Sequence, residues 1–483
     1  MGEDEEQDES GRTPGRRQIG LLSAVFIIFN RIIGTGLFFH PSSRIAIITI
    51  FFLFRIMWVI GAIIAAAGMQ VYIVWRTALP RNGEKNYLEY LFRRPRFLIT
   101  SMFGANADLL AWAASNSLVF GEYILLAAQV EPTRWTLRLV GFACVSFAVL
   151  IHGTALKWGL RLQNFLGIFK VIVLLFIVVT GWVALGGHLR DFETDANGDT
   201  KGSASGVCLC LYNVIWSYIG FANMNYALSE VKNPQQTVRI ACPLAIAVVT
   251  VLYVLANIAY FSAATKEEIT SGGRLVAALL FRNVYGPKAE RALSVFVAMS
   301  ALGNVMSVIF SQGRANQELG REGILPFSKF WGSNRPFNAP LVDLLLHWAI
   351  CLIVIFALPP GDAYNFVISY PLSIINAAIS FGILWMAVRP YPGWPLTRVW
   401  SLVYATFFGA VNVFLFVVPL TAPPVGAEPY EMGGWAVFGL GAVYWVLWAV
   451  VAPRVGRYEL RRISEVGEDG LRRWVFKRFA KEE

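Results

Sequence analysis

Charged and chemically reactive side chains are scarce in this chain of 483 residues. Asp, Glu, Lys and Arg together make up only 15% of it, which does not suit a soluble globular protein of mixed composition. The cysteines all lie in apolar runs, so they suggest neither a disulfide framework nor a zinc site. The histidines are scattered, and no motif of a known catalytic mechanism occurs. We therefore expect no enzyme, no metal and no cofactor. The residues concerned are Cys144, Cys208, Cys210, Cys242 and Cys351, and His40, His152, His188 and His347.

Apolar residues dominate instead. They make up 56% of the chain, and the mean hydropathy is +0.55. Twelve apolar runs are about as long as the roughly 20 residues that a helix needs to cross a bilayer. The first run is too long for the apolar part of a signal peptide. We predict an all-α integral membrane protein with about twelve transmembrane helices, at 19–39, 45–75, 98–128, 136–153, 161–186, 206–229, 239–264, 290–315, 341–358, 364–388, 399–419 and 434–452.

The distribution of positive charge predicts the orientation. With a cytoplasmic N-terminus, the tails and inner loops hold 28 of the 41 Lys and Arg residues. The long outer loop 187–205 is instead rich in acids. This asymmetry follows the positive-inside rule, so both termini are predicted to be cytoplasmic. The net charge of +10 then reflects topology and contact with anionic inner-leaflet lipid, and we expect no nucleic-acid partner.

The first span contains a candidate break in its helix. Its middle reads NRIIGTGLF (30–38), with Gly34 and Gly36 on either side of a threonine. A helix break inside a membrane is tolerated only where the freed N–H and C=O groups face protein or a water-filled cavity. Such a break offers amides that can hold a carboxylate and carbonyls that can hold an ammonium. The alternative is that the glycines only allow a neighbouring helix to pack closely.

The sixth span repeats this feature. Its middle reads WSYIGFANMN (216–225), with Gly220 and two asparagines. Interrupted first and sixth spans are what an inverted repeat of five plus five spans predicts, with substrate held between them. The pair is much harder to explain by packing than either break alone. The predicted divisions are an N-terminal tail (1–18), a transporter domain (19–452) with repeats at 19–186 and 206–388 and last two spans at 399–452, and a basic C-terminal tail (453–483).

Several motifs also resemble one family. The run FNRIIGTG (29–36) looks like the first-span signature of amino acid–polyamine–organocation permeases, particularly the fungal methionine-permease branch. The resemblance covers about residues 19 to 390. Beyond it, the last two spans and the C-terminal tail resemble the family only in being apolar and then basic. The other motifs that carry the resemblance are ALPRNGEKNYLEY (78–90), WSYIGFAN (216–223), EVKNP (230–234), SQGR (311–314) and ELGREG (318–323).

The resemblance implies the leucine-transporter-type fold, with alternating access around a central site. It implies that the amino and carboxylate groups of an amino acid meet the loops of the two broken spans. These loops comprise Ile33, Gly34, Thr35 and Gly36 in the first span and Tyr218, Ile219, Gly220, Phe221 and Ala222 in the sixth. Candidates around the substrate side chain are Ser115, Asn116, Phe221, Asn223 and Asn304. For Asn116 and Asn304, an interhelical hydrogen bond of about 0.6–2 kcal/mol is an equal alternative.

Two charged residues, Lys170 and Asp108, lie inside predicted spans. Lys170 is alone in the apolar fifth span, where a lysine is costly unless it is paired, hydrated or neutral. By resemblance, it is the residue that couples transport to protons. The alternative is snorkelling to the inner interface, about 13 Å away along the helix at Arg161. Asp108 in the third span either pairs with Arg31 or stabilises packing, and for Arg31 we favour a structural ion pair.

We therefore predict a proton-coupled importer of neutral L-amino acids, most of all methionine, in a fungal plasma membrane. The coupling ion is the proton, and no other cofactor is expected. One alternative is an exchanger of large neutral amino acids. Related exchangers are linked by a disulfide to a heavy chain through the outer loop after the third span, but Gln129–Leu137 contains no cysteine. A second alternative is a receptor that binds without transporting, because 42–55 and 365–371 depart from the family pattern. A channel would need a selectivity filter that the sequence lacks.

Overall fold

The computed structural model of the chain is mostly helical. It describes residues 20–34, 51–79, 83–110, 113–187, 204–220, 234–263, 276–333, 337, 339–357, 363–390, 394, 398–421, 431–466 and 472–480. The helices are α1 (Leu21–Ile32), α2 (Phe51–Ala78), α3 (Gly83–Leu91), α4 (Leu98–Leu110), α5 (Ala114–Ala127), α6 (Arg134–Thr154), α7 (Leu156–Gly187), α8 (Ala204–Tyr218), α9 (Pro234–Ala263), α10 (Val276–Tyr285), α11 (Pro287–Glu322), α12 (Ser328–Trp331), α13 (Leu341–Ala357), α14 (Ala363–Val388), α15 (Val399–Thr421), α16 (Glu431–Trp445) and α17 (Ala452–Val455). A π-helical turn (Val446–Val451) joins the last two.

Nine helical stretches within these described ranges are long and apolar enough to cross a membrane. The most deeply placed is α11, whose apolar window is 83% buried, against 28% for α15 and 17% for Gly434–Val455. Helices α5, α6, α7 and α13 all pack against α11. Helix α11 is therefore the centre of the bundle, and the last two spans lie at its edge, where exposed apolar side chains suit contact with lipid.

The first and sixth predicted spans both end early as helices. Helix α1 has 12 residues and α8 has 15, which at the helical rise make about 18 and 22 Å, short of the roughly 30 Å apolar core of a bilayer. The helices end at Ile32 and Tyr218, beside the predicted breaks. The remainders of these predicted spans lie largely outside the described residues.

Other helix boundaries differ from the sequence prediction. The predicted third span consists of two helices, α4 and α5, with 111–112 between them outside the described residues. The eighth span was predicted at 290–315, but α11 runs from Pro287 to Glu322. A proline fits the first turn, where its missing N–H is not needed. Gly323 ends the helix in the left-handed conformation at φ 87°, which favours glycine. The polar last turns project beyond the apolar run, and hydropathy does not detect them.

An amphipathic helix, α3, follows α2 on the predicted cytoplasmic side. It carries charged residues on a buried face, including Glu84 and Lys85. The Tyr72 hydroxyl of α2 lies 3.0 Å from a Glu84 carboxyl oxygen and 3.0 Å from Asn376 Oδ1 of α14. Helix α3 is thus attached to α2 and α14 by polar contacts as well as by apolar packing, since Tyr87 stacks on Trp75 of α2 at 5.3 Å.

The C-terminal segment differs from the expected tail. Two antiparallel strands, β1 (Tyr458–Val466) and β2 (Arg472–Ala480), form a hairpin in which Arg462 lies opposite Phe476. Phe476 packs with Leu319 and Ile324 at the end of α11. The prediction of an all-α fold was therefore incomplete. The strands escaped prediction because YELRRISEV (458–466) does not alternate strictly between apolar and polar residues, and such a weak pattern does not identify a strand.

Candidate substrate site at two interrupted helices

The end of α1 leaves its last backbone carbonyls without partners in the helix. The Ile33 N–H still bonds the Phe29 carbonyl at 2.8 Å, but the Gly34 N–H turns back to the Ile32 carbonyl at 2.9 Å. The last four carbonyls of any helix need other donors. Here those donors are side chains of three neighbouring helices.

Lys170 on α7 supplies the first of these donors. Its side chain is 1% exposed, and its Nζ lies 3.0 Å from the Asn30 carbonyl oxygen and 2.5 Å from that of Ile33. The amine therefore points into the bundle, away from the inner interface that snorkelling would require. A neutral amine has two N–H groups and an ammonium has three, so both forms can donate to the two carbonyls. The negative end of the α1 dipole adds stability only to the charged form.

Asn304 on α11 supplies the second donor. Its Nδ2 donates to the Arg31 carbonyl at 2.7 Å and lies 3.2 Å from that of Asn30. Its Oδ1 in turn accepts a hydrogen bond of 2.7 Å from Asn116 Nδ2 on α5. This chain of amides joins α5, α11 and α1. A methyl group added at Gly34 would lie 2.5 Å from Asn304 Nδ2, so only glycine lets the backbone approach this amide.

Tyr253 on α9 supplies the third donor and touches both interrupted helices. Its hydroxyl oxygen lies 2.9 Å from the Ile32 carbonyl and 3.1 Å from that of Ser217, near the end of α8. One O–H can donate fully to only one carbonyl at a time. The ring packs edge-on against Trp58 at 5.1 Å and against Tyr218 at 5.3 Å. A single side chain thus links the ends of the first and sixth spans.

The two interruptions also contact each other directly. Gly220, two residues after α8, has φ 145°, a conformation that side-chain-bearing residues rarely adopt. A Cβ at this position would lie 2.8 Å from Arg31 Cγ and 2.9 Å from Ile32 Cγ1. Gly220, in the predicted loop of the sixth span, therefore lies against the end of α1.

The predicted site residues divide into three groups. Ile33, Gly34, Tyr218, Ile219 and Gly220 lie together at the two helix ends. Asn116 and Asn304 bond each other between α5 and α11, as the alternative of an interhelical hydrogen bond expects. Ser115 precedes Asn116 on α5. Thr35, Gly36, Phe221, Ala222 and Asn223 lie outside the described residues.

Sequence reasoning missed Tyr253 and Asn30. Asn30 is fully buried, and its Nδ2 donates to the Gln163 carbonyl at 2.7 Å. Asn30 directly precedes Arg31 in the first-span motif. A polar residue inside an apolar run could have been recognised as a candidate site residue. Tyr253 carried no such signal, because a tyrosine in an apolar span is common. Its role depends on two carbonyls that are distant in sequence.

Within the described residues, no group of three or more His, Cys, Asp or Glu side chains could hold a metal ion. The polar groups at the helix ends are carbonyls, amides, a hydroxyl and one amine. Carbonyl oxygens gathered at a helix end inside a membrane protein are the kind of group that can hold an ammonium.

A family model described as amino acid permease matches residues 19–448. The chain belongs to the amino acid permease family. This permease is a helical membrane protein and a transporter, not an enzyme. The high-affinity methionine permease of Saccharomyces cerevisiae is 45% identical to it over 478 residues, covering 95% of this permease and 83% of the yeast protein.

Two further relatives are more distant. The low-affinity methionine permease of Saccharomyces cerevisiae is 31% identical over 494 residues, which cover 96% of this permease and 88% of the relative. The mouse b(0,+)-type amino acid transporter 1 is 27% identical over 465 residues, which cover 93% of each chain. The similarity therefore runs along nearly the whole permease.

Proposed function

We propose that this permease imports neutral L-amino acids, methionine first among them, together with protons. The single observation that carries the proposal is the lysine amine on the carbonyls of Asn30 and Ile33, at the end of the interrupted first span. Adding or removing one proton there changes the charge beside the substrate loop. The choice of methionine is supported by the 45% identity to the yeast high-affinity methionine permease.

The proposed architecture has twelve spans, of which the first ten form two inverted repeats of five. It is supported by two helices that end beside predicted breaks, α1 and α8, five predicted spans apart, with Gly220 after α8 packed against the end of α1. Transport would proceed by alternating access, with the first, second, sixth and seventh spans rocking against the rest. The substrate groups would meet Ile33–Gly36 and Tyr218–Ala222, with Ser115, Asn116, Phe221, Asn223 and Asn304 around the side chain.

The proposed location is the plasma membrane, with both termini in the cytoplasm. The positive-inside distribution supports this orientation. The C-terminal hairpin also contacts α3, which joins the second and third spans, through an Arg462–Glu89 ion pair of 2.8 Å. The C-terminal end and this loop therefore lie on one side. No disulfide-linked heavy chain is proposed, because the outer loop Gln129–Leu137 contains no cysteine.

The decisive experiment is uptake of a panel of labelled amino acids by permease-deficient cells that express this chain, at two external pH values. We expect methionine to be taken up fastest, and faster at the lower pH. Uptake that depends on unlabelled amino acid inside the cell, and not on pH, would instead indicate exchange. Saturable binding without any uptake would indicate a receptor and would contradict transport.

A further inference from the structure

Asp108 is an acidic residue inside the membrane region that the proposed transport cycle does not use. It is the eleventh residue of α4, about 15 Å from the start of this helix at the helical rise. Its side chain is partly buried. An ionised carboxylate at such a depth is costly, and acidic residues there normally have a defined partner. Asp108 faces Asn316 of α11, with 2.9 Å between the Asp108 Oδ1 atom and the nearer amide atom.

The orientation of the amides determines which partner holds the hydrogen atom. Gln312 Nε2 donates to the Ala107 carbonyl at 2.7 Å. A carbonyl only accepts, so this bond fixes the NH2 end of Gln312. The same Nε2 donates its second hydrogen to Asn316 Oδ1 at 2.6 Å. The Asn316 atom that faces Asp108 is therefore also its oxygen.

Two oxygens 2.9 Å apart need a hydrogen atom between them. If the Asn316 amide were rotated, its NH2 could donate to an ionised Asp108 at this distance and to the Gln312 backbone carbonyl at 3.2 Å. The rotated NH2 would then face the Gln312 NH2 at 2.6 Å, which places two donors against each other at a shorter distance than either new bond. A proton on Asp108 avoids this contact, because the O–H of a protonated carboxyl donates to the Asn316 oxygen while Gln312 keeps both of its bonds.

The surrounding charges favour the same arrangement. Asp343 of α13 is fully buried and is close enough to Asp108 for two negative charges to repel. Two adjacent buried carboxyl groups do not both ionise readily. The positive groups near this pair, Arg314 and Arg321, act on Asp343, and Tyr444 of α16 also lies near Asp108. Helix α14 also packs on α4 but carries no charged residue.

We propose that Asp108 is a buried proton-binding site, protonated in this conformation, whose O–H donates to Asn316 and joins the third span to the eighth. The ligand of this site is a proton. The site is separate from Lys170, and the assignment does not depend on what the permease transports.

Infrared spectroscopy of the purified full-length protein in lipid nanodiscs tests the proton directly. A protonated carboxyl group has a C=O stretching band well separated from that of a carboxylate. We expect Asp108→Asn to remove the intensity of one such group near neutral pH. The matched control, Glu290→Gln in the first turn of α11, should leave that band unchanged. Equal band intensity in Asp108→Asn and the parent would overturn the proposal.

A second variant, Asn316→Ala, tests the hydrogen bond even if Asp108→Asn does not fold. Asn316→Ala removes the acceptor and keeps the acid, so the band should keep its intensity and shift in frequency. An unshifted band would contradict the assigned hydrogen bond.

The same proton predicts a pH effect on stability. An unfolded aspartate is ionised above about pH 4, so the folded protein binds one proton more than the unfolded chain. Stability then falls as pH rises, by a factor of ten in the folding equilibrium constant per pH unit while Asp108 stays protonated. Asp108→Asn should remove this part of the decline in the unfolding midpoint between pH 5 and 7. An unchanged decline would contradict a folded-state proton on Asp108.

Discussion

Single side chains decide the chemistry at the end of the first span. Lys170, Asn304 and Tyr253 each donate to carbonyls that the helix leaves free. In the proposed function, the lysine is the group that exchanges a proton. The amide and the hydroxyl donate to the helix end whether or not the lysine is charged. Under that proposal, proton exchange and support of the helix end belong to different residues of one cluster.

The first prediction at this scale concerns Lys170. Lys170→Ala should leave substrate binding measurable but remove the dependence of uptake on the proton gradient, because no titratable group remains on the carbonyls of Asn30 and Ile33. A coupling of only about 1.4 kcal/mol would change the ratio of two access states tenfold. The measurement is initial uptake rate against external pH, normalised to surface protein. A Lys170→Ala profile parallel to that of the parent would reject the proton role.

Gly34 carries the second prediction. Gly34→Ala should abolish most uptake while leaving membrane insertion intact, because the new methyl group would lie 2.5 Å from Asn304 Nδ2. Gly104→Ala on α4 is the matched control, since its nearest neighbour would be Ile324 Cγ2 at 3.7 Å, an ordinary contact. Uptake is compared at equal surface abundance. Equal uptake in the two variants would show that close approach at Gly34 is not required.

At the scale of elements, the two short helices depend on a third. Helix α9 is continuous from Pro234 to Ala263, and through Tyr253 it contacts the ends of both α1 and α8. A movement of either short helix therefore changes the hydrogen bonds of α9. The continuous helix α9 therefore connects the ends of α1 and α8 through one side chain.

The third prediction isolates this contact with a matched pair on α9. Tyr253→Phe should lower stability by about 1 kcal/mol, the usual net value of one hydrogen bond, and should slow uptake. Tyr260→Phe should change neither, because Tyr260 is equally buried and its hydroxyl has no hydrogen-bond partner among the described residues. Thermal unfolding in detergent and uptake are the two measurements. A Tyr260→Phe variant as impaired as Tyr253→Phe would mean that the effect belongs to the helix and not to the hydroxyl.

On the scale of the whole molecule, the C-terminal hairpin packs against α3, against Phe97 just before α4 and against the C-terminal end of α11. Arg462 pairs with Glu89 of α3 at 2.8 Å, and Glu89 accepts from the Thr100 hydroxyl of α4 at 2.6 Å. Phe476 packs edge-on against Phe97 at 4.9 Å and lies over Gly323, the C-terminal cap of α11. The last residues of the chain are thus attached to the loop between the second and third spans and to the central helix.

The fourth prediction tests this attachment. Arg462→Ala should loosen the hairpin, because it removes one partner from the buried carboxylate of Glu89, and a hydrogen bond to a charged group is worth about 1.5–3 kcal/mol. Arg461→Ala is the control: its pair with Glu459 is 61% and 41% exposed, and exposed pairs are worth about 0–1 kcal/mol. Hydrogen exchange of 458–480 is the measurement. Protection that survives in Arg462→Ala would show that the apolar contacts of Phe476 suffice.

A fifth prediction concerns alkaline pH. Burial lowers the pKa of Lys85 to about 8, although Glu89 opposes the shift. The unfolded chain keeps this proton up to about pH 10.4, so between these values it binds more protons than the folded protein, and stability rises with pH. The unfolding midpoint of the parent should therefore rise relative to that of Lys85→Met between pH 8 and 10. Parallel curves would refute the lowered pKa.

Sequence alone was enough for the properties that depend on local composition and spacing. Apolar runs predicted the nine long apolar helices of the described ranges, glycines marked where α1 and α8 end, and Lys170 was conspicuous as a charge in an apolar run. These signals are local because a helix in lipid must satisfy its backbone within its own segment. The family followed from motifs that are contiguous in the chain.

Only the tertiary structure decided which groups meet. In the folded chain, the amine of Lys170 points toward α1 and away from the interface, Asn304 donates to the Arg31 carbonyl, and the Tyr253 hydroxyl contacts two helix ends. The hairpin forms from a segment with no clear strand pattern. The physical reason is that a carbonyl freed at the end of a helix has no preferred partner in sequence. Its donor is whichever side chain packing brings within hydrogen-bonding distance.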